Sequence, residues 1–109
     1  MSYKGKCVKK QFNCSTEQLY ERVLKHLYEL GCRVLSRDAS KIIFISNVSG
    51  WEYFTMNGNY KYQVNILEEA SSSTICSIRA INSIDSPIPL FDMLFGMSAT
   101  YAQKLLDNI

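Results

Sequence analysis

Ser15 to Gly31, S-T-E-Q-L-Y-E-R-V-L-K-H-L-Y-E-L-G, is the stretch around which the rest of the chain is ordered. Ser15 suits an N-cap, and Gln18 three residues on can close a capping box. Leu19, Val23, Leu27 and Leu30 recur at spacings of four, four and three, and Leu24 widens the stripe. Glu17 and Glu21 fall near the positive end of the helix dipole, and Gly31 stands where a left-handed C-terminal cap is wanted. The spacing predicts an amphipathic helix of about four turns whose apolar side must be covered by a sheet.

Strands are expected on both sides of that helix. Residues 6 to 14 precede it, with Val8, Phe12 and Cys14 on one face, Lys10 as the exception, and Lys9, Gln11 and Asn13 on the other. After Gly31, residues 32 to 37 and 41 to 47 read as a hairpin about a turn at Asp38-Ala39-Ser40. The second of these carries Ile42-Ile43-Phe44-Ile45, apolar on both faces, as in a strand covered twice or bordering a subunit contact. Trp51 to Met56 reads as a strand too, because Asn57-Gly58 behind it is a strong hairpin signal. The return strand alternates Tyr60, Tyr62, Val64 and Ile66 against Lys61, Gln63 and Asn65. A polar turn at Glu68 to Ser73 leads to a last strand, Thr74 to Asn82, with Cys76, Ile78 and Ala80 on one face. Ser86-Pro87-Ile88-Pro89 is expected to be extended, and a long helix to run from about Leu90 to near Ile109. Its apolar face holds Phe91, Leu94, Met97, Tyr101, Leu105 and Leu106, widened by Phe95, Ala102 and Ile109.

The 109 residues are expected to form a single domain, residues 1–109, with one core. Apolar residues make 47% of the chain and charged ones 20%, which excludes disorder on composition. A net charge of +2 is too small to predict nucleic-acid binding. The charges are uneven: residues 1 to 41 hold nine Lys or Arg against four Asp or Glu, and residues 42 to 109 hold three against six. Either a polarity that orients two copies or an uneven solvated surface accounts for it. Cys7, Cys14, Cys32 and Cys76 contain no C-x-x-C pair, and His26 is the one histidine, so no metal site is expected. Met1 to Lys10 is polar and basic, without the apolar stretch of a signal peptide, and no apolar run reaches membrane-spanning length. A cytoplasmic protein with reduced thiols is the expectation.

The predicted order is strand, helix, five-strand antiparallel meander, long C-terminal helix. That α+β layout, with L-F-D-M-L-F-G-M (residues 90–97) following the Pro-rich turn, resembles the helix-grip fold of the START-related, polyketide-cyclase-like superfamily. It also resembles a half-repeat of the TATA-binding-protein fold. The first resemblance implies a curved sheet wrapped around the C-terminal helix, with a pocket for a small apolar or lipid-like ligand between them. Phe12, Val34, Phe44, Tyr60, Tyr62, Val64, Cys76 and Ile78 from the sheet, with Met93, Met97 and Tyr101 from the helix, are the candidates to line it. Methionines adapt to varied apolar shapes, and tyrosine hydroxyls can orient a ligand. The alternative is that the same side chains fill the interior and leave no void.

Surplus apolar surface on the C-terminal helix and at Ile42–Ile45 points to a homodimeric interaction module as the second function class. Nucleic-acid binding is not expected. The outward face of the sheet carries Lys9, Gln11, Asn13, Lys61, Gln63, Asn65 and Arg79 without the apolar wedges or stacking aromatics that DNA and RNA readers use. Catalysis is not expected either. His26 lies on the polar side of its helix, Cys32 lacks a third orienting group, and Glu68-Glu69 diverge in a turn. No catalytic residue and no cofactor are assigned.

Overall fold

The computed structural model describes residues 5–85 and 90–109, without the side chains of residues 90 and 91. The Pro-rich turn at 86–89 and the side chain of Phe91 therefore lie outside the described residues. In chain order the elements are β1 (Val8–Phe12), α1 (Thr16–Glu29), β2 (Arg33–Arg37), β3 (Lys41–Ile45), α2 (Gly50–Met56), β4 (Tyr60–Ala70), β5 (Ser73–Ser83), α3 (Leu90–Phe95) and α4 (Met97–Asn108).

The strands form one antiparallel sheet in the order β1-β5-β4-β3-β2. Its inner face is the one the alternation predicts. Phe44, Tyr62, Val64, Cys76 and Ile78 are all sealed from solvent, and Phe12 closes the β1 edge. Both long helices cover that face: α4 lies against β5 and β1, and α1 against β4 and β2. Leu19, Val23, Leu24 and Leu27 of α1 and Tyr101, Ala102, Leu105 and Leu106 of α4 are buried in the same core. Each buried leucine or valine among them contributes about 1.5–3 kcal/mol of transfer free energy. Register breaks at Val34/Ser36, Lys61/Tyr62 and Glu68/Ala70 insert extra residues, the device that bends a sheet and increases its twist.

α1 forms as its caps dictate. Ser15 Oγ accepts from the Gln18 N–H, and Gln18 Oε1 accepts from the Ser15 N–H, each at 3.2 Å. Gly31 follows the helix with φ +74°. The fully buried Thr74 donates to the Cys14 carbonyl at 2.8 Å, tying the β1–α1 connection to the start of β5.

Three expectations are corrected. Residues 51 to 56 are helical, not extended, so four strands follow α1 and the sheet has five. Asn57 (φ +60°) and Gly58 (φ +103°) supply two positive φ angles in succession. A tight hairpin needs that, and so does a left-handed helix C-cap. Here Asn57 N–H donates to the Phe54 carbonyl at 3.2 Å and Gly58 N–H to the Tyr53 carbonyl at 2.9 Å, which ends α2. Second, β4 and β5 are longer than expected. Glu68 pairs with Thr74 and Ala70 with Ser73, with Glu69 as the extra residue between them, leaving Ser71-Ser72 between the strands. Third, the C-terminal helix is two helices. Gly96 takes φ +63° between α3 and α4, and the buried Asp92 accepts from both the Ser98 N–H and, at 2.9 Å, the Ser98 hydroxyl. A residue in the first turn of α3 thus caps α4.

Candidate functional site

The eleven sequence-derived lining residues fall in three places. Phe44, Tyr60, Tyr62, Val64, Cys76 and Ile78 are inside, with Phe12 almost fully covered and Val34 and Met97 packed against the core from its margin. Tyr62 is the centre of this group. Its ring stacks on Phe44 (5.2 Å, 13°), meets Tyr101 at 5.5 Å and Tyr60 edge-on at 6.3 Å. Its hydroxyl donates to the Ser98 carbonyl at 3.1 Å, and the Tyr60 hydroxyl donates to the Met56 carbonyl at 2.5 Å. The tyrosine hydroxyls therefore bind helix ends rather than point into open space. Burial raises the Tyr62 phenol well above its ordinary range. Met93 is corrected outright: it is 59% exposed on α3, which the left-handed Gly96 separates from α4.

Tyr101 alone of the eleven lines an open cleft of about 290 Å³ at one end of the helix layer. His26 comes from α1 and Leu30 from its C-cap, Asn47 and Val48 from the β3–α2 connection, Glu52 from α2, and Tyr101, Lys104, Leu105 and Asn108 from α4. The floor is apolar, made by the buried Val48, Tyr101 and Leu105. The rim is polar. Lys104 Nζ and Glu52 Oε2 lie 3.8 Å apart between α4 and α2, an exposed pair worth at most about 1 kcal/mol.

Local hydrogen bonds hold the wall in place. Asn59 Oδ1 accepts from the Val48 N–H at 2.8 Å and from the Ser46 hydroxyl at 2.9 Å, while Ser46 Oγ accepts from the Tyr60 N–H at 3.1 Å. Asn59 N–H donates to Asp85 Oδ2 at 2.8 Å. One asparagine therefore joins the β3–α2 connection, the start of β4 and the end of β5.

Under the floor, Cys32 Sγ and the Tyr101 hydroxyl lie 3.7 Å apart. Burial pushes the Cys32 thiol up, only partly offset by its bonds to Tyr101 and the Asn47 backbone. Burial and the neighbouring thiol likewise raise the Tyr101 phenol. Both groups are thus protonated and neutral at physiological pH, suited to hydrogen bonding rather than to nucleophilic attack. Among the described residues, no group of three or more His, Cys, Asp or Glu could hold a metal ion.

Sequence reasoning missed eight of the nine cleft residues. One signal was present: Tyr101, Lys104, Leu105 and Asn108 are spaced i, i+3, i+4 and i+7 and must share a helix face. That this face meets the end of α1 and the β3–α2 connection is tertiary information.

The sequence matches no family model, and no curated protein resembles it by sequence. Solved structures do resemble it. A START superfamily protein from Mycobacterium smegmatis superimposes with a TM-score of 0.51 over 97% of this chain and 96% of that one, at 13% identity. Between the two folds that the element order suggested, the α+β chain with its bent five-stranded sheet and C-terminal helices takes the START-like helix grip.

Proposed function

We propose that this protein binds a small amphipathic molecule, without transforming it, in the cleft between α1, α2 and α4. The observation that carries this is the cleft's composition: an apolar floor of Val48, Tyr101 and Leu105 beneath a rim of His26, Asn47, Glu52, Lys104 and Asn108. Sites of this kind combine apolar walls with a few placed polar groups, and about 300 Å³ is the lower end of their size range. The START-like fold supports the reading, since it sets helices over a bent sheet and leaves the space between their ends open. A non-catalytic role is supported by the Cys32–Tyr101 pair, both members of which are held in their neutral forms.

The pocket expected deeper between sheet and helix is thereby moved outward, to the end of α4. A ligand there touches Tyr101 and not the sheet tyrosines. The test is uptake of fluorescent apolar probes and medium-chain fatty acids, read by fluorescence and native mass spectrometry. Binding should be saturable, and Leu105→Trp, which fills the floor, should weaken it by about tenfold or more while the fold persists by circular dichroism. No uptake by the wild-type chain would sink the proposal.

A further inference from the structure

α2 and α3 pack side by side, and between them they leave an apolar surface on the outside of the molecule. On α2, Trp51 is 77% exposed, with its ring 5.5 Å from that of Phe54, which is also largely exposed. On α3, Met93, Leu94 (71%) and Phe95 (68%) follow one another to the end of the helix. Together with Tyr53 these side chains present on the order of 700 Å², more than monomers usually leave open and close to the ~800 Å² that each partner buries in a standard interface.

We propose that this surface is a homodimer interface, closed by the same α2–α3 surface of a second copy. The charge pattern selects that occupant. α2 and α3 contain no Lys or Arg. Of their two acids, Asp92 is buried in the cap of α4, and Glu52 faces Lys104 across the cleft rim. A surface without net charge meets its own copy without repulsion, as a two-fold interface requires. An anionic membrane would instead select for basic residues, and nine of the twelve Lys and Arg lie in residues 1–41, outside these helices. The sheet edges are poor alternatives. β1 carries Lys9 and Lys10, while β2 is bounded by Arg33 and Arg37 and bulged at Leu35, all features that discourage strand pairing between chains. Aromatic and Met side chains at the centre of a patch are the types that carry interface energy.

Trp51 is the chain's single tryptophan, so its emission reports on this surface alone. The full chain should sediment as a dimer at micromolar concentration and dissociate on dilution, with Trp51 emission moving to longer wavelength in the same range. Phe54→Glu and Leu94→Glu should each raise the dissociation constant by about tenfold or more, and leave the far-ultraviolet circular-dichroism spectrum of the folded chain unchanged because both positions are largely exposed. A monomer at all concentrations would overturn the proposal. So would a dimer whose dissociation leaves Trp51 emission unchanged and which ignores both substitutions. A monomer that binds phosphatidylcholine or phosphatidylserine vesicles with a Trp51 shift would assign the surface to lipid, and overturn the dimer equally.

Discussion

Gly58 combines two constraints that no other residue type meets. Its φ is +103°, and a Cβ there would stand 2.5 Å from the Asp85 Cβ. Asp85 cannot withdraw freely, because its carboxylate accepts from the Asn59 N–H. Gly58→Ala should therefore destabilise the protein by roughly 2–4 kcal/mol, where removing glycine at an unstrained position costs little or is favourable. Urea unfolding measures this, and an unchanged midpoint would contradict the geometry. The thiols give a second prediction. Cys7 and Cys14 are half-exposed, Cys32 and Cys76 are buried, and burial pushes the Cys76 thiol up to about 12. A thiol reagent at neutral pH should modify two cysteines quickly and the other two only on unfolding. Four fast thiols would mean that the core opens readily. Asn57-Gly58 also shows the limit of reading at this scale. The dipeptide announces two positive φ angles in succession, but a hairpin and a helix C-cap demand the same pair.

At the scale of elements, α1 was legible in its capping box, its stripe from Leu19 to Leu27 and its terminal glycine, all local signals, but Leu30, expected in the stripe, is the C-cap and is exposed. α2 was not legible. Seven residues with one buried side chain, Met56, carry no measurable period, and an aromatic-rich composition favours strand. The C-terminal segment was legible as helical and misread as continuous. Its break depends on Asp92, whose carboxylate caps α4 from the preceding helix. Asp92→Ala should cost about 2–3 kcal/mol, since it strips a cap and leaves the buried Ser98 without its partner. Asp92→Asn should recover part of the loss. If both variants unfold at the wild-type urea concentration, the cap contributes nothing.

For the whole molecule, the buried tyrosines and thiols set an alkaline limit on stability. Tyr62, Tyr101, Cys32 and Cys76 all have raised pKa values, chiefly through burial. Raised acids are protonated in the folded state and lose their protons first in the unfolded one. Their contribution is complete below the unfolded pKa and declines as pH rises through the folded value. For Cys76 that window runs from 9.0 to about 12. Urea midpoints should hold steady near neutrality and fall steadily above about pH 9, and Cys76→Ala should make the alkaline fall shallower even though it lowers the neutral value by leaving a cavity. A flat profile to about pH 11 would show that these groups are solvated after all.

Composition and periodicity by themselves determined the α+β class, the inner face of the sheet and the amphipathic face of α1. Those follow from spacings of two and of three to four residues, which are written along the chain. Tertiary structure alone decided that Trp51 to Met56 coils, that the last helix breaks at Gly96, and that the open space lies at the end of α4. The first and last of those outcomes depend on partners distant in sequence, Asp85 beside Gly58 and Leu30, Val48 and Leu105 lining one cleft, while the break at Gly96 depends on Asp92 reaching Ser98, a geometry that no apolar spacing records. A cleft is where packing stops, and no run of neighbouring residues records where that happens.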